Sequence, residues 1–173
     1  MTRLLLIALC LCLLALPARA EDDSALWMAR CMVAEAGWTA VTDHLAIGYV
    51  LIRRWEQLGR RITLARLIRQ YCAGLGEHAR PSPRQRWILE LNEAGDAPAH
   101  FPKNERWSAT QKYWTAALQR ARLVLAWQLP DPCHGEAMHW SAKGRAPAAE
   151  LYPVDCGPGI VNAFFGIRRK GTQ

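Results

Sequence analysis

The chain has 173 residues, a formal net charge of +7 and eight tryptophans. This length predicts one ordinary domain, large enough to bury a hydrophobic core. Beyond the N-terminal residues no segment is apolar enough to cross a membrane, which takes about 20 apolar residues. The sequence therefore argues against a membrane-embedded or multidomain protein. Its basic charge is typical of binding to anionic surfaces, with solubility alone as the alternative.

The first residues are typical of a secretory signal peptide. Arg3 gives a short positive region, Leu4 to Leu16 form an apolar run, and Ala18-Arg19-Ala20 matches the small-x-small cleavage pattern. A membrane anchor is the alternative, but the apolar run is too short to span a bilayer comfortably. We expect export to the periplasm or the medium, with residues 1–20 removed and a single domain over residues 21–173.

Export also narrows the choice of anionic partner. Arg3 and Arg19 leave with the leader, and no acidic residue precedes Glu21, so the net charge falls by two to +5. For an exported chain, bacterial wall polymers are nearer polyanions than nucleic acid. We expect a monomer with no nucleic-acid partner and no membrane span.

Two helices are predicted after the leader. The first has Ser24 as its N-cap, carries apolar residues three and four apart, and stops at Gly37, which can adopt a left-handed helix end. The second opens at Thr39 or Thr42 and ends near Gly59.

Three more helices are predicted in the middle of the chain. A short one follows Thr63, and the next has Ser82 as its N-cap, a proline at its first position and Gly95 past its end. The last and longest opens with the capping box Ser108-x-x-Gln111.

After Leu129 the chain becomes rich in Gly and Pro and contains two strand-like runs, 137–140 (AMHW) and 160–165 (IVNAFF). The complete pattern predicts an α+β, predominantly helical fold. About five helices form a bundle, and a small β lobe follows at the C-terminus.

Four cysteines lie beyond the leader, and an even count in an exported chain predicts two disulfides. Cys133 and Cys156 bracket the C-terminal lobe, so we pair them. That pairing leaves Cys31 with Cys72. A nucleophilic Cys31 is the less favoured alternative.

Glu35 is the strongest candidate for a chemical role. It lies in the last turn of the first helix, where the negative end of the helix dipole disfavours a carboxylate. Its neighbours Val33, Ala34, Ala36 and Trp38 hydrate a charge poorly. Both effects favour the neutral carboxyl, which is the form that a general acid needs. A surface glutamate near a helix end is the plain alternative.

A second polar group lies between Asp131 and Trp140. His134, His139 and a nearby acid suggest a zinc site, but their spacing matches no strong metal motif. We expect no metal and no cofactor, and a metal-dependent hydrolase using these histidines is kept as an alternative function.

Several stretches resemble the spore cortex-lytic type of cell wall hydrolases. Residues 28–38 (MARCMVAEAGW) and 44–54 (HLAIGYVLIRR) resemble the opening of that family, in which an Ala-Glu-Ala helix end precedes a second helix. Residues 117–140 (ALQRARLVLAWQLPDPCHGEAMHW) and the run IVNAFF resemble its later segments. The resemblance extends from residue 26 to residue 165.

This resemblance implies a lysozyme-like fold and cleavage of the glycan strands of peptidoglycan between N-acetylmuramic acid and N-acetylglucosamine. It implies a lytic transglycosylase or a muramidase-like enzyme, with Glu35 as general acid and base. A hydrolase would normally need a second carboxylate, for which Asp43, Asp131 and Asp155 are the candidates.

Six further residues are expected to line the cleft that binds peptidoglycan. Two of them stand where the family has a Tyr-Gln pair near its substrate groove. For Tyr71 and Trp140 the alternative is a position in the core. For His139 the alternative is a structural role within the fold. The six are Trp38, Gln70, Tyr71, His139, Trp140 and Asn162.

The chain also departs from the family pattern. The family has Arg-Gly after its glutamate, Gly-Gln before its second helix, Asn-Arg at the end of that helix, and a His and a Tyr in its closing strand. Their places are taken by Ala36-Gly37, Asp43-His44, Arg53-Arg54, Ala163 and Gly166. A non-catalytic module that binds wall glycan or inhibits its cleavage is therefore the second hypothesis.

Overall fold

The computed structural model describes residues 18–73, 75, 81–144 and 148–168. Within these ranges the chain forms five helices and one three-stranded sheet, which confirms the predominantly helical α+β prediction with a small C-terminal β lobe. The helices are α1 (Ala18–Ala36), α2 (Val41–Gln57), α3 (Leu64–Tyr71), α4 (Pro83–Glu90) and α5 (Trp107–Leu125). The strands are β1 (His139–Ala142), β2 (Leu151–Val154) and β3 (Asn162–Ile167).

The predicted leader lies mainly outside the described residues, of which the first is Ala18. Residues 18–20 form the first turn of α1, so the helix begins upstream of Ser24 and the predicted N-cap there is wrong. Alanine and glutamate at positions 18, 20 and 21 favour helix and carry it past the serine. In the described part of the chain, no helix has the length and apolarity that a membrane span requires.

Helix α1 is the centre of the bundle, and it contacts each of the other four helices. Most of the middle of this helix is buried and the rest is partly buried, as is expected of a helix that other helices surround. The fully buried residues of this stretch are Met28, Ala29, Cys31, Met32 and Val33. Gly48 of α2 lets the neighbouring helices approach, because a Cβ there would lie 2.8 Å from the Met32 side chain.

The polar signals at helix starts had mixed success. Thr63 caps α3 by accepting from the Arg66 amide, and Ser82 forms a complete capping box with Gln85 on α4, which confirms both predictions. The threonine cap of α2 is wrong, because its N-cap is Ala40 and no side chain bonds there.

Two further predictions about helix ends also need correction. Helix α4 ends at Glu90 rather than near Gly95, since Leu91 leaves the helical conformation with ψ 132°. Helix α5 begins at Trp107, so Ser108 is not its cap. Gln111 instead donates from Nε2 to the Gly95 carbonyl at 2.9 Å, and this contact ties the helix to the preceding loop.

The three strands form an antiparallel sheet in the order β1-β3-β2. The predicted strand runs overlap β1 and β3, whereas the edge strand β2 was not predicted. Its Pro153 has no N–H for a ladder, which is tolerated at a sheet edge and conceals the strand in the sequence. Tyr152 stands opposite Gly166 in β3 and fills the space that a side chain there would take.

A buried carboxylate joins the β lobe to the bundle. Asp43, in the first turn of α2, is fully buried and accepts from the backbone amides of Val161 at 2.9 Å and Asn162 at 2.8 Å. A second junction is the ion pair between Arg53 and Asp131. These contacts fix the start of β3 beside α2.

The cysteines follow the predicted pairing only in part. Cys133 and Cys156 form the predicted disulfide across the lobe. Cys31 and Cys72 are correctly predicted as neighbours, but both are buried free thiols that hydrogen-bond each other, so the predicted second disulfide is absent. The Cys72 thiol also donates a hydrogen bond to the Glu35 carboxyl, and only a protonated thiol can do so.

We predict that Asp43→Ala lowers the free energy of unfolding by about 2–4 kcal/mol, because two backbone amides at the start of β3 lose their acceptor. Urea unfolding of the variant and the wild type measures the difference. The matched control is Asp96→Asn on the exposed loop, where an amide oxygen can still accept from Asn92. Equal stability of Asp43→Ala and Asp96→Asn would contradict the role of this carboxylate.

Candidate active site

Glu35 lies one residue before the end of α1, at the junction between the helical bundle and the β lobe. Its side chain is half-buried, so the carboxyl is partly shielded from water and still reachable. Gly37 ends the helix in the left-handed conformation at φ 76°, and its amide donates to the Val33 carbonyl at 2.9 Å. The predicted stop at Gly37 is therefore confirmed.

Two donors from different elements hold the Glu35 carboxyl. The Trp140 indole, on β1, donates from Nε1 to Oε2 at 3.2 Å. The Cys72 thiol, at the C-terminal end of α3, donates from Sγ to Oε1 at 3.3 Å. Each oxygen has one protein donor, and this fixes the plane of the carboxyl group between them.

The backbone around Glu35 is held as well. Asn162 of β3 donates from Nδ2 to the Glu35 carbonyl at 3.2 Å. Its side chain is largely buried and braces the backbone at the acid, and Asn162 also lines a cavity in the β lobe. His44 hydrogen-bonds the Gly37 carbonyl through Nε2 at 2.8 Å. Two of the carbonyls that every helix end leaves without a partner are thus satisfied.

Beside the carboxyl lies a cluster of Tyr71, His139 and Arg54. The Tyr71 hydroxyl is 2.6 Å from His139 Nδ1, and its ring meets the Trp140 ring edge-on at 5.0 Å between centroids. The Arg54 guanidinium lies 4.1 Å above the Tyr71 ring and contacts both ring nitrogens of His139 at 3.2–3.3 Å. Three of the predicted cleft residues, Tyr71, His139 and Trp140, therefore come together next to Glu35.

Burial sets the protonation of this cluster. It raises the pKa of Tyr71 to about 12, against the opposing charge of Arg54. It also lowers the pKa of His139, and the positive charge of Arg54 lowers it further. At neutral pH His139 is uncharged and Tyr71 keeps its proton, so the hydroxyl donates to Nδ1.

The other two predicted cleft residues lie apart from this group. Trp38 stacks on Trp87, with centroids 5.4 Å apart and planes 19° apart, and Phe101 meets Trp87 edge-on. Gln70 has an exposed side chain on α3. Within the described ranges neither residue hydrogen-bonds the Glu35 carboxyl or its partners.

Two of the three candidates for a second carboxylate, Asp43 and Asp131, are engaged within the fold. Asp43 accepts from two backbone amides, and Asp131 pairs with Arg53 and accepts from the Cys133 and Gly135 amides at 2.9 and 2.7 Å. Asp155 accepts from the Gly157 amide at 2.9 Å in its own turn, but it is exposed and lines a cavity in the β lobe.

The histidines proposed as metal ligands also have other surroundings. His134 is exposed in a turn, with φ 51°, while His139 is engaged by Tyr71 and by a guanidinium that would repel a cation. Over the described residues, no group of three or more His, Cys, Asp or Glu side chains has the geometry to hold a metal ion.

A cavity of about 260 Å³ opens in the β lobe, and Asn162 is one of its lining residues. It is lined by β2, β3 and the loop that carries the disulfide, with Lys143 and Asp155 at its polar edge. Ala163 also lines it, at the position where the family that the sequence resembles has a histidine.

Sequence reasoning missed two members of the site, Arg54 and Cys72. Arg54 was noted only as a departure from a family pattern, and Cys72 only as a disulfide partner. Neither has a local signal, because both reach Glu35 or its neighbours through tertiary packing. No protein-family model matches the chain, and neither a curated protein nor a solved structure shows significant similarity to it.

We predict a pH-dependent loss of stability that originates at His44. Burial lowers its pKa from 6.5 to about 4, with the Arg120 guanidinium 3.3 Å from Nδ1 opposing protonation and Asp43 and the Gly37 carbonyl favouring it. Between pH 6.5 and about 4 the unfolded chain takes a proton that the folded chain excludes, so stability falls by up to about 3 kcal/mol as pH is lowered. Urea unfolding of wild type and His44→Gln at pH 7 and 4.5 measures the difference. An equal change in the free energy of unfolding between pH 7 and 4.5 in the two proteins would refute the assignment to His44.

We also predict that Arg54→Gln raises the pKa of His139 toward 6.5, because the variant loses the charge that opposes the imidazolium. Burial continues to hold the pKa below its ordinary value. NMR titration of the His139 ring measures the change, with Arg66→Gln on the exposed side of α3 as the matched control. An unchanged or lowered pKa in Arg54→Gln would show that the guanidinium does not act on this ring.

Proposed function

We propose that the protein is an exported enzyme that cleaves the glycan strands of peptidoglycan, with Glu35 as its general acid and base. The observation that carries the proposal is the setting of this carboxyl: half-buried at a helix end, held by Trp140 and Cys72, and bordered by aromatic and basic side chains. Such a carboxyl is oriented for proton transfer and reachable by a sugar. The resemblance of the Ala-Glu-Ala stretch to cell wall hydrolases supports the same residue.

A single carboxyl is sufficient for the transglycosylase form of the reaction. The Glu35 carboxyl protonates the glycosidic oxygen, and the bond to the muramic acid anomeric carbon breaks through an oxocarbenium-like state. The resulting carboxylate then takes the proton of the muramoyl 6-hydroxyl, whose oxygen closes the anhydro ring. The engagement of Asp43 and Asp131 within the fold favours this route over a hydrolase with paired carboxylates.

The side chains beside Glu35 suit other parts of such a substrate, because they include two aromatic rings and the Arg54 guanidinium. Trp140 and Tyr71 offer aromatic edges to a sugar ring. Arg54 uses only one guanidinium nitrogen, NH1, in hydrogen bonds with described residues. Its other donors suit the lactyl or stem-peptide carboxylate of a muramoyl residue, because a guanidinium binds a carboxylate in a planar, two-pronged way.

We predict that Glu35→Gln abolishes the release of anhydro-muropeptides, because an amide can hydrogen-bond to the glycosidic oxygen but can neither transfer a proton to it nor take one from the 6-hydroxyl. Mass spectrometry of purified peptidoglycan after incubation with each protein measures the products. The matched control is Glu105→Gln, an exposed glutamate in the loop before α5, which should keep wild-type activity.

Other products would change the account. Reducing-end products from the wild type would indicate hydrolysis and require a second carboxylate. Undiminished cleavage by Glu35→Gln would overturn the assignment of the acid. Glycan binding without products from either protein would favour a non-catalytic wall-binding module, and activity abolished by a chelator would favour the metal-dependent alternative.

A further inference from the structure

Two cysteine side chains lie directly behind the proposed acid. Cys31 is one helical turn before Glu35 on α1, and Cys72 follows the last residue of α3. Both are fully buried free thiols, and their side chains hydrogen-bond each other. Cys72 also contacts the acid itself, with its Sγ 3.3 Å from Oε1 of Glu35.

The surroundings keep both thiols protonated. Burial raises the pKa of Cys31 and raises that of Cys72 well above its ordinary value, and the nearby Glu35 charge acts in the same direction. A thiolate is the nucleophilic form of cysteine, so neither group is prepared for attack at neutral pH. Cys72 is instead an S–H donor whose nearest charged acceptor is the Glu35 carboxyl.

We propose that Cys72 is a positioning residue, whose S–H group orients the Glu35 carboxyl for proton transfer, and that a Cys31–Cys72 disulfide disables the enzyme by removing this donor. The inference rests on the proposed function, since it assigns a control to the same acid. It concerns orientation only, because a fully buried sulfur cannot contact a substrate.

Oxidation reduces the number of hydrogen-bond donors that hold the Glu35 carboxyl. In the dithiol state the carboxyl is held at both oxygens, by Cys72 and by Trp140. A disulfide sulfur carries no proton, so Oε1 loses its only protein donor among the described residues. The terminal torsion of a glutamate is broad when packing does not restrict it, and Trp140 alone leaves the carboxyl free to turn.

A small disulfide such as oxidised glutathione is a sufficient oxidant. Local opening between α1 and α3 must first expose a cysteine, because both thiols are buried in the folded chain. The exposed thiol loses its proton, attacks the oxidised glutathione and forms a mixed disulfide, releasing one reduced glutathione. The other cysteine then attacks the bound sulfur, which forms the Cys31–Cys72 bond and releases the second. Two thiols are oxidised, one disulfide is reduced, and both protons leave with the two glutathione molecules.

The kinetic test compares kcat and KM on peptidoglycan for three variants. Cys72→Ala should lower kcat about tenfold and leave KM nearly unchanged, because only proton transfer loses an interaction. Cys72→Ser should recover most of that loss, since a hydroxyl can donate in place of the thiol. Cys72→Ser no faster than Cys72→Ala would overturn the positioning role.

The redox test needs no change at Cys72. Wild type incubated with oxidised glutathione should lose activity and regain it with dithiothreitol, while peptide mapping by mass spectrometry follows the Cys31–Cys72 link. Cys31→Ala is the matched control, because it cannot form this link. Its molecules that peptide mapping shows to be free of glutathione at Cys72 should keep the rate that they had before the oxidant was added. Any effect through Cys133–Cys156 appears in Cys31→Ala as well. Equal kcat for the mapped dithiol and disulfide forms would overturn the proposal.

A spectroscopic test separates this inference from the proposed function. The infrared S–H stretching band of Cys72 should shift to higher frequency when Glu35→Ala, in a Cys31→Ala background, removes its acceptor. A shifted band in a protein that cleaves no peptidoglycan would retain the contact and reject the enzyme. An unshifted band would reject the contact, whatever the activity.

Discussion

The C-terminal end of α1 is the constraint on which the rest of the structure depends. A helix end leaves carbonyl groups without partners, and at the centre of a bundle few of them can reach water. Asn162 satisfies the Glu35 carbonyl and His44 satisfies that of Gly37. The β lobe must therefore lie against this helix end, and the same docking brings Trp140 to the Glu35 carboxyl. The helix end whose carbonyls need hydrogen-bond donors is therefore also the place of the proposed catalytic carboxyl.

The residues that depart from the family pattern have structural partners of their own. Asp43 fixes the start of β3, and Arg53 pairs with Asp131 at the second junction of the lobe. Tyr152 from the neighbouring strand covers the glycine at position 166. These contacts hold the β lobe against the bundle and do not touch the Glu35 carboxyl.

Local chemistry explains what the sequence could predict. The N-cap Ser82 with the proline after it and the glycine at position 37 specify their helix ends within a few residues, and both predictions are confirmed. Ser24, Thr42 and Ser108 carry the same polar signal but lie inside their helices, so none of them is an N-cap. The acid was predicted from its neighbours along α1. Arg54 and Cys72 were not, since they join Glu35 and its neighbours from other helices.

As the proposed acid, the Glu35 carboxyl must face the bond to be cleaved. The most direct measurement is a crystal structure of the Glu35→Gln variant with a muramic acid-containing tetrasaccharide from peptidoglycan. We expect the central glycosidic oxygen to lie within about 3 Å of the side-chain amide at position 35, which is a hydrogen-bonding distance suited to proton transfer. We also expect a carboxylate of the ligand on Arg54. A glycan bound only in the lobe cavity lined by Lys143 and Ala163, or away from the end of α1, would contradict this prediction.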